Sequence, residues 1–104
     1  MNYELYILRR DKFEKFLKRL DKDSVSRLTR DITFLKENGS DLRMPLAKKI
    51  HKELWELRTS GKQRVRILYS IKGKQIYVVH WFIKKTQKIP LKELTTATKR
   101  LTNI

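Results

Sequence analysis

Near residue 54 the hydrophobic period of this chain switches, and that switch limits the fold more than any other feature. Upstream, Phe13, Phe16, Leu17 and Leu20 fall at i, i+3, i+4 and i+7, and Val25, Leu28, Ile32 and Leu35 recur at three and four. Apolar residues at that spacing line one face of an α-helix. Asp11 is a candidate N-cap for the first stripe, the segment Asp21–Ser24 breaks the pattern and offers a second cap, and Asn38-Gly39 ends the second stripe. The stripes predict a helical hairpin whose apolar faces serve as ordinary core. Downstream, Leu54–Arg58 leads into the turn signal Thr59-Ser60-Gly61-Lys62. Val65, Ile67, Tyr69 and Ile71 then alternate with Arg64, Arg66, Leu68 and Ser70, a period of two that defines a strand. Lys72-Gly73-Lys74 turns the chain again, and Gln75–Ile83 is filled with β-branched and aromatic residues, as in a strand buried on both faces.

The flanks complete the order. Tyr3 and the run Leu5–Leu8 predict a first strand, and residues 40–53, with Pro45, predict a connecting loop with room for a short strand. Leu91, Leu94, Thr95, Thr98 and Leu101 after Pro90 predict a closing helix. The order β-α-α-β-β-β-α implies an α+β domain over residues 1–104, a small antiparallel sheet with two N-terminal helices packed on one face. The other face is expected to be free for binding.

Charge points to the partner. Residues 1–40 carry ten Lys and Arg against seven Asp and Glu, whereas residues 41–104 carry sixteen against four, so most of the net +15 lies in the second part. A field of one sign attracts polyanions, and nucleic acid is the leading class. A membrane surface would need a basic amphipathic helix, but the cations here fall mostly in strand-like segments and turns. The longest near-apolar run, Ile76–Ile83, is far short of the ~18 residues of a membrane span. With charge at Glu4, Arg9 and Arg10 there is no apolar signal-peptide core, and a cytoplasmic location is expected. The absence of Cys excludes disulfides, thiolate zinc sites and Cys nucleophiles.

Strand parity puts Arg64 and Arg66 on the same face, and antiparallel pairing would bring Arg58, Lys84 and Lys85 to a shared surface with them. Arg offers fixed forks to phosphate oxygens, and a Lys crowded by cations has its pKa lowered toward neutrality. Such a site binds RNA or cuts it. Metal-free cleavage requires a 2′-hydroxyl to lose its proton, charge on phosphorus to be stabilised and the leaving 5′-oxygen to gain a proton. Arginine suits only the second task. His80 has the titration range for acid or base work, and equally fits a half-buried residue bonded to a neighbour. Glu56, which shares strand parity with Arg58, could be a base or an ion-pair partner. Trp55, Tyr77 and Trp81 could stack on bases, although core packing accounts for most such residues. His51 and Glu53 form a His-x-Glu that lacks the further ligands of a zinc deaminase, so no metal or cofactor is expected.

Leu54-Trp55-Glu56-Leu57-Arg58, Arg64-Val65-Arg66-Ile67-Leu68-Tyr69, Phe82-Ile83-Lys84-Lys85-Thr86-Gln87-Lys88-Ile89-Pro90 and Glu93–Arg100 resemble the RelE/ParE toxin superfamily, most closely its HigB-like, phage-derived branch. The resemblance covers nearly the whole chain and is most specific in the Lys-Lys-Thr-x-Lys-x-Pro run. It implies a type II toxin that cuts mRNA in the ribosomal A site without metal. It also implies neutralisation by a cognate antitoxin, typically a helix-turn-helix protein encoded next door. Arg66 matches the phosphate-contacting arginine, Arg58 the basic residue ending the preceding strand, and Lys84 or Lys85 the basic pair after the last strand. Arg64, Lys48, Lys49, Lys62 and Lys88 complete the expected RNA-binding set. The best-studied branch also uses a C-terminal tyrosine and second-strand lysines, but residues 86–104 contain neither Tyr nor His, and Leu54 and Glu56 hold the strand positions. His80 or a Lys of depressed pKa is the expected substitute. A ParE-like gyrase poison and a plain RNA-binding module are the alternatives.

Overall fold

A computed structural model describes residues 2–104. Five strands and three α-helices form in the order β1 (Glu4–Ile7), α1 (Arg10–Lys18), α2 (Lys22–Asn38), β2 (Ala47–His51), β3 (Leu54–Arg58), β4 (Val65–Lys72), β5 (Gln75–Ile83) and α3 (Leu91–Leu101). The sheet runs β1-β5-β4-β3-β2. The α+β class and the helical hairpin hold. The sheet itself is mixed rather than antiparallel, because β1 pairs with β5 in parallel and the remaining neighbours are antiparallel. A helical hairpin between β1 and the meander lets β1 enter from either direction, and local periodicity carries no information on which. The short strand for which residues 40–53 had room is β2, paired to β3.

Helix ends follow local chemistry. Asp21 caps α2 by accepting from the Ser24 amide at 2.7 Å, and Gly39 ends it at φ 47°, ψ −119°. A Cβ at Gly39 would fall inside the Tyr3 ring, so both the torsion and the space require glycine. Helix α1 departs from expectation at its start. It begins at Arg10, with Arg9 in the left-handed region (φ 56°) and no side-chain cap. Asp11 is therefore not the cap but lies in the first turn, where its charge opposes the positive helix end.

Phe13, Phe16, Leu20, Leu28 and Leu35 pack on Leu57, Val65, Ile67, Tyr69, Ile76, Val78 and Trp81, all buried. Full burial of a leucine such as Leu28 or Leu35 contributes about 2 kcal/mol. The opposite face is not free, contrary to the sequence-based expectation. There Leu54, Leu68, Val79, Phe82 and Ala97 form a second cluster that seats α3 through Leu94 and Leu101. A bulge shapes this face: Leu68 pairs with His80 and Tyr69 with Val78, leaving Val79 without a partner. The extra residue shifts the alternation, so that Trp81 joins Val78 on the α1–α2 side while Val79 packs toward α3.

Candidate functional site

At one end of the sheet, cations from β3, β4 and the residue just past β5 gather about a buried carboxylate. Arg58 on β3 pairs directly with Arg66 on β4, and Arg66 with Phe82 on β5. Glu56 precedes Arg58 by two residues and therefore points to the same face. Its carboxylate lies 3.4 Å from Arg66 Nε and 3.7 Å from Arg58 Nε. Glu56 and Arg66 are 2% and 5% exposed, so this is a buried ion pair and not a solvated charge run. Glu56 thus holds the ion-pair role that the sequence left open.

Arg66 is tightly oriented. Its Nη1 donates to the carbonyls of Thr59 (3.2 Å) and Val65 (3.0 Å). Burial pulls its pKa below the usual guanidinium value, opposed by Glu56 and assisted by Arg58 and Arg64. The group remains charged, because arginine starts above about 12. Arg58 Nη1 reaches Met44 Sδ at 3.3 Å. Lys84 closes the constellation from the end of β5, its backbone tied to Arg64 by an amide-to-carbonyl bond of 2.8 Å. Desolvation lowers the Lys84 pKa first; Glu56 raises it, and Arg66, Arg58 and Arg64 lower it. Two clefts open on the group. One of about 340 Å³ is lined by Arg58, Arg64 and Arg66 with the Thr59–Gly61 turn, and the other, also about 340 Å³, by Lys48, Lys49, Glu56, Lys84 and Lys88.

The expected residues thus divide. Arg58, Arg66 and Lys84 meet around Glu56, Arg64 stands exposed beside them, and Lys48, Lys49 and Lys88 line the neighbouring cleft. Lys85 turns to a different hollow on the outer side of β5. Lys62 sits on the β3–β4 turn, where its charge acts on Asp21. His80 is held by α3: Arg100 donates to Nδ1 at 3.2 Å, which leaves the ring proton on Nε2 to bond Glu93 at 2.7 Å. Trp81 packs edge-on against Phe13 at 5.0 Å, and Tyr77 stacks on Tyr6 at 5.5 Å. Trp55, partly buried, carries Arg43 over its ring at 5.7 Å. The His80–Glu93 and His80–Arg100 contacts were not legible from sequence, since they depend on the bulge at Val79. Among the described residues no three His, Cys, Asp or Glu side chains gather closely enough to hold a metal ion. No helix among them is long and apolar enough to cross a membrane.

The His80 contacts carry a pH dependence. Burial lowers the His80 pKa, with Glu93 opposing and Arg100 assisting, so the unfolded chain binds this proton more readily than the folded one. Stability is then fully present above the free-imidazole value near ~6.5 and is lost as pH falls from there through the lower folded value. Urea midpoints should drop on acidification through that window, and His80→Gln, which can keep both hydrogen bonds, should remove the drop at a cost of at most about 1 kcal/mol at neutral pH. An unchanged drop in the variant would assign it to other groups.

Strand order, the helical hairpin and the basic end of the sheet define a small basic α+β protein. The family model described as "Phage derived protein Gp49-like (DUF891)" matches residues 15–102, and the chain belongs to that family, a toxin-like family of phage-derived proteins related to RelE. Toxins of this kind are often RNases and generally act with an antitoxin partner. No curated protein matches the chain.

Proposed function

We propose that this protein is the toxin of a type II toxin-antitoxin system, of the HigB-like branch, and that it cuts mRNA on the ribosome without a metal ion. The observation that carries the reading is the convergence of Arg58, Arg66 and Lys84 around Glu56, beside two clefts lined by further cations. A polyanionic backbone fits such a surface, and the ribosome supplies more of the same charge to a chain of net +15.

In this mechanism the 2′-hydroxyl gives its proton to a solvent water and the 2′-oxygen attacks the adjacent phosphorus. The bond from phosphorus to the 5′-oxygen breaks, and the departing oxygen gains a proton, leaving a 2′,3′-cyclic phosphate and a 5′-hydroxyl. Arg66, held by two carbonyls, and Arg58 bind the phosphoryl oxygens as charge builds on them. Removing one such donor costs about 100- to 1000-fold in rate. Lys84, its pKa lowered by desolvation, delivers the proton to the leaving oxygen. The antitoxin in this reading is a small helix-turn-helix protein, acidic where it covers these cations, and both partners are cytoplasmic.

Primer extension on a translated mRNA, with purified protein and with or without ribosomes, tests the proposal. Breaks that need ribosomes and that leave 2′,3′-cyclic phosphate and 5′-hydroxyl ends are expected. Cleavage of free RNA would replace the ribosome-dependent reading with a free RNase, and intact mRNA in both arms would overturn nuclease activity. Glu56→Gln should shift the pH–rate profile downward, because it removes the one charge that raises the Lys84 pKa. His80→Gln cutting at the wild-type rate would take the histidine out of the chemistry.

A further inference from the structure

The outer edge of β5 changes along its length. β1 pairs with Gln75–Val78, and the Leu8 amide adds a bond to the Val78 carbonyl at 2.9 Å. One residue further on, Arg100 Nη1 caps the Val79 carbonyl at 3.2 Å. Past that cap no strand lies beside β5 among the described residues. On the inner side the Lys84 amide bonds the Arg64 carbonyl, so alternation in an antiparallel ladder directs the backbone groups of Lys84 and Phe82 toward β4. Those of Trp81 and Ile83 then point outward. With β1 pairing ended at Val78, no strand, turn, loop or cap bond on that side reaches these two amides and two carbonyls among the described residues.

A hollow of about 520 Å³ follows this edge. Four consecutive residues, His80–Ile83, line it, and since neighbouring strand residues face opposite ways, the hollow runs along the edge and not over one face. Arg19, just past the end of α1, Lys85, and Lys92 of α3 line it as well. Glu93, the one acid there, is already bonded to His80. Next to it a second hollow adds Lys12, Lys15 and Arg100.

An unpaired strand edge is a template for another strand. A second copy of this chain is a poor occupant, because each brings a net charge of +15. A nucleic acid could meet the cations and the amides, but its phosphates cannot satisfy outward carbonyls. A peptide strand supplies both donors and acceptors in register. We propose that the Trp81–Ile83 edge is a docking site for an acidic, extended segment of another protein. The segment adds as a strand beside β5 and sets its carboxylates on Arg19, Lys85 and Lys92. This holds independently of the nuclease reading, since the edge lies on the other side of β5 from Arg58 and Arg66.

The test uses the isotope-labelled full chain and a synthetic octapeptide of alternating Glu and Val, followed by amide shifts and hydrogen exchange. Exchange at the Trp81 and Ile83 amides should slow by about tenfold or more at saturation. Arg19→Glu with Lys92→Glu, both at exposed positions, should weaken binding by about tenfold or more while the other amide shifts stay in place. No binding, or binding without protection at those two amides, would overturn the proposal. So would equal protection by a single-stranded RNA of the same charge.

Discussion

Arg66→Ala is expected to abolish growth arrest on expression, and also to cost the fold about 3 kcal/mol or more. The two losses have one origin. Arg66 is 5% exposed and lies 3.4 Å from the buried Glu56, so truncation leaves a carboxylate that retains only Arg58 at 3.7 Å, while two backbone carbonyls lose their donor. Breaking a buried pair on one side costs about 3–5 kcal/mol, a large share of the 5–15 kcal/mol typical of a domain. Loss of toxicity in this variant alone would therefore not separate chemistry from unfolding. Arg66→Met together with Glu56→Gln replaces the pair with groups of similar shape, an exchange that is often neutral. That double variant should melt within about 1 kcal/mol of the parent and still fail to arrest growth. A folded, fully toxic double variant would remove Arg66 from the site.

RNA affinity should fall about 300-fold between roughly 50 and 200 mM salt, since a logarithmic slope near −4 follows if Arg58, Arg66, Lys84, Lys48, Lys49 and Lys88 each displace a counterion from a single strand. The contributions differ in kind. Arg58, Arg66 and Lys84 are held by a buried partner or a strand end, whereas Lys48, Lys49 and Lys88 are exposed and have no ion-pair partner among the described residues. Converting these three lysines to alanine should reduce the slope to about −2. Stability should change by no more than about 0.5 kcal/mol, as is usual for exposed positions. Fluorescence anisotropy with a short RNA across a salt series measures the slope directly. An unchanged slope would show that the second cleft takes no part in binding.

The period of the apolar residues was enough to determine the helical hairpin, the β3–β5 meander and the closing helix, because side-chain burial repeats with the geometry of each element. Asp21 and Gly39 marked helix ends for an equally local reason: a carboxylate reaches an amide three residues on, and only glycine takes that torsion beside Tyr3. Strand parity for Arg64 and Arg66, with antiparallel pairing for Arg58, likewise predicted that these arginines would share a surface. Parity says nothing about depth, however. That Arg66 would be buried against Glu56 depends on the sheet's neighbours on both sides. The direction of β1, the seating of α3 over the second face and the separation of Lys84 from Lys85 are all products of long-range packing. The bulge at Val79 is the clearest case. One unpaired residue brings His80 within hydrogen-bond reach of Glu93 and Arg100. It arises because β4 and β5 must satisfy two cores at once, a condition that no stretch of sequence states by itself.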